Sequence, residues 1–196
     1  MSEPRHIPLI ILGTGRLSSA FLRQLVATQA NISQRYGARL VPVALADTSG
    51  ALFNANGLDT PSLAALATSK KSTPIKQQSG ALQDLSAREL IKHAHSHAVA
   101  QALVIDATDA QDMEPVLHQS LDFGYGIVLA NKRPLAGSWS NARRFYETSY
   151  ARFEACVGAG LPVVTTLRYL VDTGDEVQHI EGALSRTLGY ICTCLE

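Results

Sequence analysis

The sequence predicts an α/β fold with a doubly wound, mostly parallel sheet, and three observations lead to it. An apolar run at residues 7–12 breaks into Gly13-Thr14-Gly15 and continues as a helix. Further apolar runs at 39–46, 102–108 and 127–129 alternate with helical patterns. Their polar residues gather at the C-terminal ends, Asp47, Asp106-Ala107-Thr108 and Ala130-Asn131-Lys132. Strands alternating with helices imply right-handed crossovers and a parallel sheet. Sheets of this kind bind ligands at the carboxyl ends of their strands.

The first turn carries the most chemistry. Glycines permit a tight turn and close backbone approach, and the helix N-terminus behind them offers N–H groups and a positive dipole end, a combination suited to a pyrophosphate. Ser18 stands where the third small residue of G-x-G-x-x-G is expected, so the fingerprint is imperfect. Phe21, Leu22, Leu25 and Val26 recur at helical spacing and should pack on the sheet, with the helix ending before Gly37. Residues 39–46 form the second strand, in which Pro42 requires an edge or a bulge. Asp47 closes it, placed either to accept hydrogen bonds from an adenosine ribose or to serve as an ordinary loop aspartate. It leaves the choice between NAD and NADP open.

Residues 48–80 read as loops around one short helix at 63–67. Ser86 and Glu89 have capping-box spacing and start a helix carrying Leu90 and Ile91 inward. His93 and His97 share a face of it and His95 lies on another, so the three do not surround one metal. Met113, Val116, Leu117 and Leu121 mark a crossover helix, and residues 138–150 a further one. Residues 151–157 read as a strand leading into a glycine turn, then a helix with Pro162 at its start, and residues 177–184 as a final strand.

Composition limits the partners. The 196 residues are 46% hydrophobic and 17% charged, enough for an ordinary core. The 17 basic and 17 acidic residues cancel, so the chain lacks the basic footprint of a nucleic-acid binder, and a small-molecule partner is expected. No apolar run approaches membrane-spanning length, and residues 1–6 hold no signal segment, so the expected location is cytoplasmic. Cys156, Cys192 and Cys194 read as reduced thiols.

Together these segments resemble the homoserine dehydrogenase family. The resemblance rests on Gly13-Thr14-Gly15, Asp106-Ala107-Thr108, Ala130-Asn131-Lys132, residues 154–162, Thr173-Gly174-Asp175-Glu176-Val177 and Ile180-Glu181-Gly182, and it covers nearly the whole chain. It implies a Rossmann-type NAD(P)-binding domain over residues 1–150, then at 151–196 the start of an incomplete α+β catalytic and dimerisation region. The implied reaction interconverts L-homoserine and L-aspartate 4-semialdehyde with NADP or NAD, in the biosynthesis of aspartate-family amino acids such as threonine and methionine. Gly13, Thr14, Gly15, Asp47, Thr108, Asn131 and Lys132 would bind cofactor. Lys132 would be catalytic, since an ammonium can donate to an aldehyde oxygen and exchange that proton. Glu181 would face the substrate amino group. Main-chain carbonyls around Glu154, Val157, Ala159 and Leu161 would hold sodium or another monovalent cation.

Three features depart from the family pattern. They are Ser18, Arg186 in place of a glycine, and the ending at Glu196, before a further lysine and a substrate-binding aspartate. Catalysis by this chain alone is therefore expected to be weak or absent. The competing reading is a non-catalytic module that binds dinucleotide, or that pairs with a full-length relative or a second copy. A third is a dehydrogenase for another aldehyde or keto acid on the same cofactor domain.

Overall fold

A computed structural model describes residues 3–59, 63–64, 74–83, 85–158, 160–182 and 184–195. The chain divides into two compact units, Met1–Ala151 and Arg152–Glu196. The first contains β1 (Arg5–Leu12), α1 (Arg16–Tyr36), β2 (Ala38–Asp47), β3 (Gly50–Phe53), β4 (Leu82–Gln83), α2 (Ala87–Ser96), β5 (Leu103–Asp106), α3 (Glu114–Asp122), β6 (Gly126–Leu129) and α4 (Trp139–Glu147). A short β7 (Ala151–Arg152) straddles the boundary.

The sheet order is β4-β3-β2-β1-β5-β6-β7. Strands β2, β1, β5 and β6 run parallel, while β3 and β4 pair antiparallel at one side. The chain winds outward from β1 to β2, then returns to β5 and β6 on the other flank. The reversal beside β1 is where an open sheet of this class leaves a crevice.

Leu9, Ile10, Ile11 and Leu12 are all buried, as a central parallel strand covered on both faces requires. Leu22 and Leu25 of α1 join Leu9, Ile11, Leu45, Leu52, Leu63 and Ile75 in one core cluster. Val26, expected on that face, is half exposed. Gly37 ends α1 in the left-handed conformation, and Ser86 with Glu89 forms the expected reciprocal cap of α2.

Pro42 lies on an interior strand, and the register between β1 and β2 slips beside it, so of the two expected settings the bulge is the one formed. Other expectations are corrected. The loop read at 48–80 contains β3, and β4 follows it. These pieces, of four and two residues, are too short for a periodicity signal. Most of the helix expected at 63–67 lies outside the described residues.

The strand expected at 151–157 is limited to Ala151–Arg152, at the boundary, and in the second unit Glu154–Cys156 turns as a 3-10 helix. The strand expected at 177–184 is absent from its described residues, since apolar residues without a neighbouring strand form no ladder. Helices α5 (Val163–Asp172) and α6 (Arg186–Leu195) are the regular elements there. The second was missed because Thr187, Gly189, Ile191 and Thr193 are weak helix formers. Arg186 is its first residue, so its backbone avoids the left-handed strain that a glycine replacement could bring.

Candidate functional site

Main-chain bonds stitch together the carboxyl ends of three adjacent strands. The Gly13 N–H donates to the Ala46 carbonyl at 2.8 Å, and the Ala107 N–H to the Leu12 carbonyl at 2.9 Å. This presses the turn after β1 against the tip of β5. A Cβ on Gly13 would stand 2.8 Å from the Ala107 oxygen, and φ there is +93°, so the position admits only glycine. Gly15 differs: it caps α1 at φ −72°, and nothing lies within 4 Å of where its Cβ would be.

Ser18 resolves its own departure from the fingerprint. It is buried, and its hydroxyl donates to the Gly13 carbonyl at 2.7 Å, so the extra atom ties the helix to the turn. Ser18→Ala should lower the stability of the first unit by about 1 kcal/mol, read by thermal denaturation.

Above this turn lies a cavity of about 830 Å³. Gly13, Thr14, Gly15, Asp47, Ser49 and Thr108 give it polar atoms, and Leu12, Ala107 and Met113 give it apolar wall. Asp47 and Asp109 are acidic, and among the described residues no lysine or arginine lines it. The α1 N-terminus meets the cavity at Gly15 and has no acidic side chain in its first turn, so its dipole end is available to an anion.

The Asp47 carboxylate is already engaged. Oδ1 accepts from the Ser49 N–H at 2.7 Å and the Ser49 hydroxyl at 2.6 Å, and Oδ2 from the Ile75 N–H at 3.0 Å and the Thr14 hydroxyl at 3.4 Å. Burial raises its pKa, and these hydrogen bonds more than offset the rise, leaving it below the ordinary aspartate value. Asp106 repeats the device at the tip of β5. Its Oδ1 accepts from the Thr108 N–H at 3.0 Å and the Thr108 hydroxyl at 2.6 Å. Its Oδ2 accepts from Asn131 Nδ2 at 3.1 Å. The same Asn131 nitrogen reaches the Ala110 carbonyl at 2.9 Å, and Asn131 Oδ1 accepts from the Arg133 N–H at 3.1 Å. Lys132 follows, exposed at the start of a 3-10 turn (Arg133–Leu135).

No protein-family model matches the chain. The bifunctional aspartokinase/homoserine dehydrogenase 2 of Escherichia coli is 30% identical over 95% of the chain, which spans 22% of that protein. Homoserine dehydrogenase of Saccharomyces cerevisiae is 28% identical over 94% of the chain. A hyperthermophilic archaeal homoserine dehydrogenase solved in complex with NADPH shares the fold at a TM-score of 0.61 over 83% of the chain, with 19% identity, and the chain covers 48% of it. The chain is homologous to the N-terminal region of homoserine dehydrogenase. It spans about half the length of the yeast enzyme.

In this homoserine dehydrogenase homologue the cavity gathers Gly13, Thr14, Gly15, Asp47 and Thr108. Asn131 and Lys132 are not in its lining. Asn131 is buried behind Thr108, 3.3 Å from its hydroxyl, and so acts as a brace. The Thr108 hydroxyl is committed to its own turn, donating to Asp106 and accepting from the Ala110 N–H at 3.3 Å. Sequence reasoning passed over Ser49 and the braces made by Asp106 and Asn131. The available signal was the repeated spacing Asp-x-Ser/Thr at 47–49 and 106–108, which forms the same side-chain turn at both strand ends.

Glu154, Val157, Leu161 and Glu181 belong to the second unit, and Ala159 lies outside the described residues. The Glu154 carboxylate accepts from the Val164 and Thr165 N–H groups at 3.0 and 2.7 Å and from the Thr165 hydroxyl, capping α5. These bonds, the Thr165 hydroxyl first, hold its pKa below the ordinary glutamate value. A depressed folded pKa gives stabilisation that is complete above the unfolded value and lost as pH falls through the folded one. The Val164 and Thr165 amides should therefore lose hydrogen-exchange protection on acidification through and below the ordinary glutamate range. Glu181 is exposed, 3.5 Å from the His179 ring.

Among the described residues no group of three or more His, Cys, Asp or Glu could hold a metal ion. The His93 and His97 rings meet at 4.1 Å with their planes tilted by 41°, beside Phe53, while His95 lies flat on Phe123 at 3.9 Å, the division that helical spacing predicts. All three cysteines are free thiols. No helix among the described residues is long and apolar enough to cross a membrane.

Proposed function

We propose that this chain holds a nicotinamide dinucleotide at the carboxyl ends of β1, β2 and β5. In this reading it contributes the cofactor-binding part of the homoserine dehydrogenase reaction, L-homoserine and NAD(P)+ to L-aspartate 4-semialdehyde and NAD(P)H. The observation that carries this reading is the 830 Å³ cavity built over Gly13-Thr14-Gly15, with open space at Gly15 where a pyrophosphate would rest. When bound, the nicotinamide supplies the hydride chemistry. Residues 1–150 serve as the cofactor domain and 151–196 as the beginning of a catalytic and oligomerisation domain.

The glycine turn and the α1 N-terminus take the pyrophosphate, Asp47 faces the adenosine ribose, and Thr108, braced by Asn131, closes the wall. Lys132 exchanges a proton with the substrate oxygen, and Glu181 pairs with its ammonium group. The reading includes a monovalent cation on main-chain carbonyls around Glu154, Val157, Ala159 and Leu161; among the described residues the Glu154 and Leu161 carbonyls accept from the Val157 and Val163 N–H groups, and a carbonyl oxygen carries two lone pairs. It also places the chain in threonine and methionine biosynthesis in the cytoplasm.

Because the chain spans about half of the yeast enzyme, cofactor binding is the activity that tests this reading. Titration with NADH and NADPH, followed by nicotinamide fluorescence, should show saturable binding. Homoserine-dependent reduction of NAD or NADP should stay near that of Lys132→Ala. Failure to bind either dinucleotide would overturn the proposal.

The second reading, a non-catalytic module that pairs with a full-length relative or a second copy, draws on exposed apolar side chains of the second unit, among them Tyr169, Leu188, Tyr190 and Leu195. A monodisperse monomer in light scattering would count against it.

A further inference from the structure

Asp106 is completely buried, yet it is a carboxylate at the end of an otherwise apolar strand. A buried carboxylate is retained only where donors surround it. Here they come from two strand tips. From its own side it takes the Thr108 N–H and hydroxyl, and from the β6 side it takes Asn131 Nδ2. The main chain repeats the link, since the Asp106 carbonyl accepts from the Ala130 and Asn131 N–H groups at 2.9 and 3.2 Å. Asn131 extends it by accepting from the Arg133 N–H, which encloses Lys132 between two fixed residues.

We infer that Asp106 is a positioning residue that locks the cavity wall at Thr108 and the Asn131-Lys132-Arg133 turn into a single arrangement. This inference rests on reading the cavity as the dinucleotide site. Its consequence is that wall and lysine move together: a change at Asp106 is felt at Lys132, although Lys132 is not among the residues it bonds. The charged groups around the network are Lys132 and the Arg133–Asp109 ion pair at 3.2 Å, both on the exposed side.

The test compares Asp106→Asn with Val104→Ala, a buried change on the same strand outside the network. In Asp106→Asn an amide N–H faces the Asn131 amide, so donor meets donor. The backbone amide resonances of Thr108 and of residues 131–133 should shift together, and affinity for NADH or NADPH should fall about tenfold. Val104→Ala should lower stability without either effect. In Asn131→Asp two carboxylates stand about 3 Å apart and must share a proton. Its Thr108 amide resonance should titrate above the ordinary carboxylate range.

Unmoved resonances at 131–133 in Asp106→Asn, equal movement in Val104→Ala, or no titration in Asn131→Asp would each overturn the inference. If the wild type bound neither dinucleotide, the reading of the cavity would fall, and the resonance shifts would still decide the positioning role.

Discussion

Substituting alanine for Gly13 is expected to abolish dinucleotide binding and to lower the stability of the first unit by about 2–4 kcal/mol. Two causes add. The backbone there has φ +93°, a region that L side chains rarely adopt, and the new methyl would sit 2.8 Å from the Ala107 carbonyl oxygen. That oxygen belongs to a backbone pinned by the Ala107 N–H bond to Leu12, so it has little room to retreat. Gly15→Ala separates fold from site. Its φ of −72° suits alanine and its surroundings are open, so the fold should survive while the methyl occupies ligand space. Denaturant unfolding and an NADH titration on both variants check this. A Gly15→Ala protein that binds like the wild type would remove the cavity from consideration.

Asp47→Asn should raise the affinity for NADP relative to NAD about tenfold. An adenosine 2′-phosphate brought near Asp47 meets a carboxylate that its neighbours hold ionised, with Asp109 the other acid in the lining and no cationic side chain among the described lining residues. Asparagine is nearly isosteric and keeps an oxygen for the Ser49 donors, so that turn should survive while the repulsion is lost, at the cost of the bond from the Ile75 N–H, which an amide nitrogen does not accept. Parallel titrations with the two oxidised dinucleotides measure the ratio. An unchanged ratio would show that the adenosine ribose lies elsewhere.

The central sheet was legible because its parallel strands are continuous apolar runs whose ends are marked by Gly13, Asp47 and Asp106. The caps were legible too, since Ser86 with Glu89 and the terminal Gly37 act through local bonds. The antiparallel pieces β3 and β4 were not, because two or four residues carry no period and their formation depends on the β2 edge. In the second unit Val177 and Ile180 favour a strand, but among the described residues no neighbouring strand pairs with them, whereas α6 forms although Thr187, Tyr190, Ile191 and Thr193 favour strands. At the site the cavity-lining glycines and Asp47 could be found from position alone. The bracing role of Asn131 could not, because it depends on Asp106, 25 residues earlier, and only the folded sheet brings them to 3.1 Å.

The stitching of the β2, β1 and β5 tips uses main-chain atoms on both sides of each bond. A floor written in backbone is nearly indifferent to the side chains that pass over it, except where a methyl cannot be admitted. Descendants of such a chain can therefore exchange most of their residues and inherit the same cradle, provided that one glycine is handed down intact.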